Sequence, residues 1–159
     1  MTKQLATELR HEGIRSLHTI DGKDARDIFA DLKEFPSEGE SPLVLRANVV
    51  PSGTTKFIEA LRQLDSNCSV QSHAGNGIVI AKFSEFPSEG LARTLVGRLQ
   101  AVAASFHGNV VVLSNPGGSE MTHQSVWGAT DAPYDLMTAV KREFDPQNIL
   151  NPDRFVYIS

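Results

Sequence analysis

The middle of the chain, residues 43–113, alternates between apolar runs typical of strands and the wider apolar spacing typical of helices. Residues 43–50 form a largely apolar run that becomes β-branched at its end, which predicts a strand. Residues 68–73 and 77–83 predict two further strands, and the short connection between them predicts an antiparallel hairpin. The run Asn-Val-Val-Val-Leu at 109–113 predicts a fourth strand.

Between these strands, apolar residues recur every three or four positions, which predicts two amphipathic helices. The apolar positions of the two helices are, in chain order, Phe57, Ile58, Leu61, Leu64, Leu91, Leu95, Leu99, Val102 and Phe106. The resulting order of strand, helix, strand, strand, helix, strand is the split βαβ, or ferredoxin-like, pattern. We therefore predict an α+β fold in which both helices cover one face of an antiparallel βαββαβ sheet.

The N-terminal part of the chain has a different pattern. Residues 2–12 and 21–35 predict two short helices, and the Pro-, Ser- and Gly-rich stretch 36–42 predicts the loop that ends the second helix. We therefore divide the chain into an N-terminal helical extension or linker at residues 1–40 and a domain at residues 41–159.

The end of the chain predicts one more helix followed by an extended tail. Ala132-Pro133 can start this helix, and Pro146 prevents its continuation. The residues from Arg154 onwards are expected to run extended. The helix is expected to bury the apolar side formed by Leu136, Met137, Val140 and Phe144.

Composition narrows the class of protein. Apolar residues make up 40% and charged residues 21% of the chain, as in soluble globular proteins. The formal charge of -4, without a cluster of Lys and Arg, gives no electrostatic footprint for nucleic acid or anionic lipid. No apolar stretch approaches the roughly 18 residues that span a bilayer, and no secretory leader is evident, so we expect a cytoplasmic protein. The single cysteine, Cys68, is expected to be a small buried residue.

Glycines and a histidine mark the predicted hairpin, in the sequence His73-Ala74-Gly75-Asn76-Gly77. Glycine lets a backbone turn tightly or approach a ligand closely, and histidine can act as a base or a ligand near neutral pH. A plain hairpin turn is the alternative explanation for the same residues. The sequence alone leaves both explanations open.

The sequence gives little support for a metal site, a nucleotide site or a nucleophilic active site. Zinc needs three or four ligands in compact geometry. The only candidates, His73, Glu120 and His123, fall on different predicted elements, so no metal is expected. The phosphate-binding loop, the dinucleotide-binding pattern and the nucleophile elbow are all absent. We therefore expect neither a nucleotide site within this chain nor a nucleophilic hydrolase.

The C-terminal sequence carries the most specific pattern. Val126-Trp127-Gly128 precedes a helix with Lys141-Arg142-Glu143-Phe144-Asp145-Pro146, and Asn151-Pro152-Asp153-Arg154 follows. This string resembles the end of the vanillyl-alcohol-oxidase-type FAD-linked oxidases, in which Lys-x-x-Phe-Asp-Pro leads to Asn-Pro-Gly-Arg or Asn-Pro-Gly-Lys. Within that family, the string is most similar to the E subunits of bacterial glycolate oxidases, which also carry the Trp-Gly pair.

The resemblance implies the substrate-side or cap domain of an FAD-dependent enzyme that oxidises a small 2-hydroxy acid such as glycolate. It also implies that FAD is held mainly by a flavin-binding domain or partner oxidase subunit, and that this domain is inactive alone. Asn151 and Arg154 are then expected nearest the flavin, and Trp127 is expected to line or support the substrate pocket. Arg46 or His73 can supply the cation for the substrate carboxylate. The catalytic residue stays unassigned.

The chain departs from the family pattern in two places. Asp153 stands where the family has glycine. In the His-x-Gly-Asp-Gly-Asn-x-His string of metal-using relatives, His73 fits the first position, but Asn76 replaces the acid and Ile80 stands where the second histidine would be. The departures in this string again argue against a metal. The rival hypothesis is a non-catalytic ferredoxin-like module for subunit assembly or small-ligand binding. The exact substrate, the electron acceptor and the oligomeric state stay open.

Overall fold

The chain is described here by a computed structural model, which defines residues 2–12, 14, 16–118, 120–122, 125, 127–128 and 134–150. It divides into two compact units, Met1–Phe35 and Pro36–Ser159. The first unit contains α1 (Thr2–His11) and α2 (Gly22–Glu34), the two helices predicted for this part of the chain. Helix α2 buries none of its residues.

The second unit contains the predicted elements in the predicted order. Helix α4 is wound as a π-helix over Ala92–Gln100 and continues as an α-helix over Ala101–Ser105. The other elements are β1 (Val44–Asn48), α3 (Thr54–Leu64), β2 (Ser69–His73), β3 (Ile78–Lys82), β4 (Asn109–Ser114) and α5 (Tyr134–Phe144). No helix among the described residues is long and apolar enough to cross a membrane.

The four strands form one sheet in the order β2-β3-β1-β4, and every neighbouring pair is antiparallel. Strand β1 therefore lies inside the sheet, whereas β2 and β4 lie at its edges. The sheet and its helices confirm the predicted α+β, ferredoxin-like arrangement. Strand order matters for the site, because an interior strand places its side chains between two neighbours.

The hydrophobic core lies between one face of the sheet and the helices α3 and α4. Alternate strand residues such as Leu45, Ala47 and Val79 pack against Phe57 and Leu99, and each of these is at most 1% exposed. The helix positions predicted from the apolar spacing all belong to this core or pack against it. Because successive strand side chains point to opposite faces, the remaining strand residues point away from both helices.

The free cysteine is part of the same core. Cys68 lies just before β2 and is 1% exposed. Burial raises the pKa of its thiol, because the thiolate loses hydration in an apolar environment. The structure therefore confirms the prediction of a small buried residue, and its raised pKa keeps the thiol in the unreactive protonated form.

Helix α5 is present as predicted, but the prediction about its buried side is wrong for three of its four residues. Leu136 is 58% exposed, Val140 50% and Phe144 80%, whereas Met137 is half-buried. Lys141 is also half-buried, and Asp145, just after the helix, is buried. Apolar periodicity shows which residues share one side of a helix. It does not show what that side packs against, which depends on the tertiary structure.

Candidate functional site

The strand side chains that point away from α3 and α4 form a mixed polar and apolar surface, which we name the distal face. The register aligns them in rows that cross the sheet. One row consists of Gln71, Ile80, Arg46 and Val111. The next row consists of His73, Ile78, Asn48 and Asn109. Two of the predicted substrate-binding residues, Arg46 and His73, therefore lie on one face.

Arg46 occupies the centre of the distal face. It is the middle residue of β1, and its neighbours on the adjoining strands are the half-buried residues Ile80 and Val111. Its Nε atom is buried and has no hydrogen-bond partner in the described part of the chain. A buried donor without an acceptor costs about 1–3 kcal/mol. Arg46 as a whole is half-buried, and a guanidinium is the side chain best suited to bind a carboxylate.

His73 lies at the margin of the same face. It is the last residue of the edge strand β2 and is exposed. Strand β3 separates it from β1, so the two strands that carry His73 and Arg46 are roughly 10 Å apart across the sheet. Ile78 and Ile80 of β3 fill this space on the distal face. Arg46 and His73 therefore share a surface without forming a local pair.

The glycine-rich hairpin has a structural explanation at Gly77. Its φ is +68°, and a Cβ there would lie 1.7 Å from the carbonyl oxygen of Val49. The Val49 N–H also donates a hydrogen bond to the Gly77 oxygen at 2.8 Å. Because Gly77 has no side chain, the hairpin backbone can approach the segment after β1 closely. This contact holds the β2–β3 hairpin, and with it His73, at the end of the distal face.

The Trp-Gly pair is hydrogen-bonded to Asn109, the first residue of β4. The side-chain amide of Asn109 donates a hydrogen bond to the Trp127 carbonyl oxygen at 2.9 Å. Gly128 has a φ of +78°, and a Cβ there would lie 1.8 Å from Asn109 Oδ1. Trp127 is half-buried, and its backbone is fixed beside the row that contains Asn109. The structure therefore brings a third predicted residue to the border of the distal face.

Sequence reasoning missed the amide residues of this face. Asn48 and Asn109 are paired across β1 and β4, directly beside the row of Arg46. The period of two in a strand places Asn48 on the face of Arg46, because the two residues are separated by one position. That signal was present in the sequence. The partner Asn109 could not be found in this way, because it depends on the register between strands.

The Phe-Asp-Pro sequence forms the end of α5. The Asp145 carboxylate accepts hydrogen bonds from the N–H groups of Ile149 and Leu150, both at 2.9 Å, and from Lys141 Nζ. Lys141 Nζ also donates to the Leu150 carbonyl oxygen at 2.7 Å. We name these four residues the C-terminal clamp. Asn151 and Arg154, predicted to lie nearest the flavin, are outside the described residues, so that assignment stays a prediction.

The clamp makes stability depend on pH in a defined direction. The hydrogen bond from Lys141, followed by those from Leu150 and Ile149, lowers the pKa of Asp145 below its ordinary value of 3.8. Its stabilising contribution is therefore complete above 3.8 and is lost as the pH falls through the lowered pKa. We expect Asp145→Asn to lose less stability than the wild type between about pH 6 and about pH 2, measured by urea unfolding. Identical pH profiles would contradict this expectation.

Glu120 has a structural role in place of a ligand role. Its Oε2 accepts hydrogen bonds from the N–H groups of Leu91 and Ala92, at 2.5 and 3.3 Å, at the beginning of α4. A carboxylate suits this position, because unpaired N–H groups and the helix dipole favour negative charge. The other candidate ligand, His123, is outside the described residues. Within the described residues, no group of three His, Cys, Asp or Glu could hold a metal ion.

A cleft of about 900 Å³ opens at the opposite end of the sheet from His73. It is lined by the 36–42 loop together with Val44, Lys82, Leu113 and Pro116. Lys82 Nζ donates a hydrogen bond to the Glu38 carbonyl oxygen within this region. The cleft contains none of the predicted site residues. Its size alone therefore does not make it the candidate site.

Comparison with known proteins agrees with the C-terminal sequence pattern. Residues 43–155 match the family model described as FAD linked oxidases, C-terminal domain. The matched region contains all five predicted site residues, namely Arg46, His73, Trp127, Asn151 and Arg154. No curated protein and no solved structure matches the chain. Because the family match covers more than half of the sequence, the chain belongs to the C-terminal domains of the FAD-linked oxidases.

Proposed function

We propose that this chain supplies the substrate-side domain of an FAD-dependent oxidoreductase that acts on a small 2-hydroxy acid such as glycolate. FAD is bound mainly by a flavin-binding domain, on the same chain or on a partner oxidase subunit, as in the E subunit of glycolate oxidase. The domain is inactive without that part. The observation that carries the proposal is the half-buried Arg46 at the centre of the distal face, whose Nε has no hydrogen-bond partner in the described structure.

Arg46 has the chemistry that recognition of a 2-hydroxy acid requires. The carboxylate of such a substrate is ionised at neutral pH, and a guanidinium binds it through charge-assisted hydrogen bonds. The apolar neighbours Ile80 and Val111 lower the local dielectric constant, which strengthens this attraction. Asn48, which is exposed and lies on the same face, is placed to accept or donate a hydrogen bond to the substrate hydroxyl. Arg46 is thus the carboxylate-binding residue, and Asn48 helps to orient the substrate.

The distal face also fits the surface that a planar cofactor ring needs. Ile78 and Ile80 are half-buried, and with Val111 they form an apolar part of the distal face. When FAD is bound, it supplies the hydride acceptor. The residues of this chain hold the carboxylate, orient the reacting carbon and exclude water. Trp127 lines the border of the pocket, and Asn151 and Arg154 contact the flavin.

His73 and the cellular location complete the proposal. His73 is exposed at the margin of the distal face, where it is a second candidate cation for the substrate carboxylate.

We place the protein in the cytoplasm, where the free thiol of Cys68 suits a reducing compartment. Neither nucleic acid nor a metal takes part in the proposed reaction.

The test uses the chain in complex with its flavin-binding domain, under anaerobic conditions. We expect a yellow complex whose flavin absorbance is bleached by glycolate. Glycolamide has the same hydroxyl-bearing carbon but no carboxylate, so it serves as the matched control and should bleach the flavin at least about 10-fold more slowly. Equal rates for the two compounds would contradict the role of Arg46.

A non-catalytic assembly module is the second candidate function. The exposed apolar residues of α5, Leu136, Val140 and Phe144, favour it, because such a surface is typical of an interface. Under this alternative, the complex forms but is colourless and does not react with glycolate. The same purified complex therefore distinguishes the two functions.

A further inference from the structure

The cleft beside the 36–42 loop lies on the distal face, next to the row that contains Arg46. Val44 precedes Arg46 by two positions in β1, and its partner Lys82 follows Ile80 by two positions in β3. Because side chains alternate between the two faces of a sheet, Val44 and Lys82 belong to the distal face, and both line the cleft. The cleft therefore begins one row, roughly 7 Å, from Arg46.

Strand β4 contributes an additional residue to the lining of the cleft. The register between β1 and β4 shifts beside Val44, which leaves Leu113 as the extra residue of a β-bulge. Leu113 and Ser114 both line the cleft, and Leu113 is 46% exposed. Bulges re-aim side chains and are frequent beside active sites. The irregularity thus adds an apolar wall to the cleft.

The 36–42 loop is tied to the sheet at two points, so the cleft is already formed without a ligand. Ser41 Oγ donates a hydrogen bond to the Phe83 carbonyl oxygen at 2.8 Å. Lys82 Nζ donates to the Glu38 carbonyl oxygen. A pre-formed pocket binds more tightly than one that must first be ordered, because less conformational freedom is lost.

The lining of the cleft suits an apolar group better than a charged one. Its two charged residues, Glu40 and Lys82, have opposite signs and give no net attraction for a charged group. Its apolar lining includes Pro36, Pro42, Val44, Leu113 and Pro116. Ligand pockets of this kind pack hydrocarbon against such walls and use a few polar groups for orientation.

We propose that the cleft binds the side chain of the substrate, so that the preferred substrates are 2-hydroxy acids with an extended apolar side chain. This inference rests on the proposed function, in which Arg46 binds the carboxylate. With the carboxylate at Arg46, a side chain of a few carbon atoms reaches the row of Val44 and Leu113. Glycolate carries no side chain on its hydroxyl-bearing carbon, so it is the minimal substrate.

The experiment compares glycolate with 2-hydroxyoctanoate, which has an unbranched alkyl side chain, as substrates of the complex with the flavin-binding domain. Each buried methylene group strengthens binding by about 4-fold, so kcat/KM for 2-hydroxyoctanoate should exceed that for glycolate by about 10-fold or more. The diacid 2-hydroxyadipate carries a second carboxylate on its side chain and should show no such preference. A preference for the diacid over 2-hydroxyoctanoate would overturn the inference.

Leu113→Trp tests the cleft itself, because the larger side chain occupies the space that the substrate needs. The ratio of kcat/KM for 2-hydroxyoctanoate to that for glycolate should fall by about 10-fold or more. Leu5→Trp in α1 is the matched control, since Leu5 is 53% exposed and lies outside the cleft, and it should leave this ratio unchanged. If Leu113→Trp does not fold, Leu113→Ser replaces it, because serine removes the apolar wall.

Methyl NMR of the same complex reports on binding without catalysis. With the leucine and valine methyl groups of the chain labelled, 2-hydroxyoctanoate should shift the resonances of Leu113 and Val44. Glycolate should leave both in place. The resonances of Leu5 serve as the internal control and should shift with neither compound.

The possible failures are distinguishable. Equal kcat/KM values for glycolate and 2-hydroxyoctanoate, or Leu113 resonances that do not shift, would overturn this inference and leave the proposed function intact. An unchanged substrate ratio in Leu113→Trp would also overturn it. A complex whose flavin is bleached by neither 2-hydroxy acid would overturn the proposed function, and this inference with it.

Discussion

Replacing Arg46 by methionine is expected to lower kcat/KM for glycolate by about 10- to 100-fold, because a hydrogen bond to a charged group contributes about 1.5–3 kcal/mol. Most of the loss should be in KM if the guanidinium holds the carboxylate equally in the ground state and the transition state. The domain should stay folded, since methionine matches the apolar surroundings formed by Ile80 and Val111. The measurements are steady-state kinetics of the flavin complex and thermal unfolding.

The melting temperature of the Arg46→Met variant provides a second test of this prediction. Arg46 Nε is a buried donor without a partner in the described structure, so its removal should leave the melting temperature unchanged or raise it. Arg93 is exposed on α4, and Arg93→Met is the matched control that removes the same charge without effect on kinetics. Equal kcat/KM values for the two variants would refute the role of Arg46. A large loss of stability in Arg46→Met would show that the arginine is structural.

Replacing Gly77 by alanine is expected to lower the free energy of unfolding by about 3 kcal/mol or more, because backbone strain and overpacking each cost about 1–3 kcal/mol. Gly77 has a φ of +68°, and the added methyl group would meet the Val49 carbonyl oxygen at 1.7 Å. This contact cannot be relieved by moving a side chain, since the obstructing atom belongs to the backbone. Urea unfolding monitored by circular dichroism gives the difference directly.

The same hairpin provides the control for this prediction. A Cβ added at Gly75 would have no neighbouring atom within 4 Å. Gly75→Ala should therefore change the free energy of unfolding by no more than about 0.5 kcal/mol. Similar losses in both variants would show that the hairpin tolerates no side chain for a reason other than the contact with Val49. The pair thus separates a position that needs glycine from one that does not.

In this structure, residues of the sequence pattern that identifies the family hold the backbone in place. Gly128 of the Trp-Gly pair fits against the side chain of Asn109 with a φ of +78°. Asp145 of the Phe-Asp-Pro sequence accepts hydrogen bonds from two backbone N–H groups and forms an ion pair with Lys141. Both motifs therefore stabilise local backbone conformation, and the Trp-Gly pair does so beside Asn109 on the distal face. Arg46, the residue proposed to bind the substrate, belongs to neither motif.

Local periodicity alone determined much of this fold. The spacing of apolar residues predicted the helices α3 and α4 and the core positions Phe57, Leu61 and Leu99, because helical geometry brings residues three or four apart onto one side. The three-residue connection predicted the β2–β3 hairpin for an equally local reason. Arg46 was a candidate only because the family resemblance implies a carboxylate substrate, which requires a cation such as Arg46 or His73.

The tertiary structure alone decided which of these residues meet. Strand register aligned Arg46 with Ile80 and Val111, and pairings between distant segments cannot be obtained from periodicity. The side of α5 expected to be buried is exposed at Phe144, because amphipathicity specifies a face but not its neighbour. The sequence therefore determined the elements and their apolar sides, which depend on short-range geometry, whereas the composition of the site depended on contacts between segments far apart in the chain.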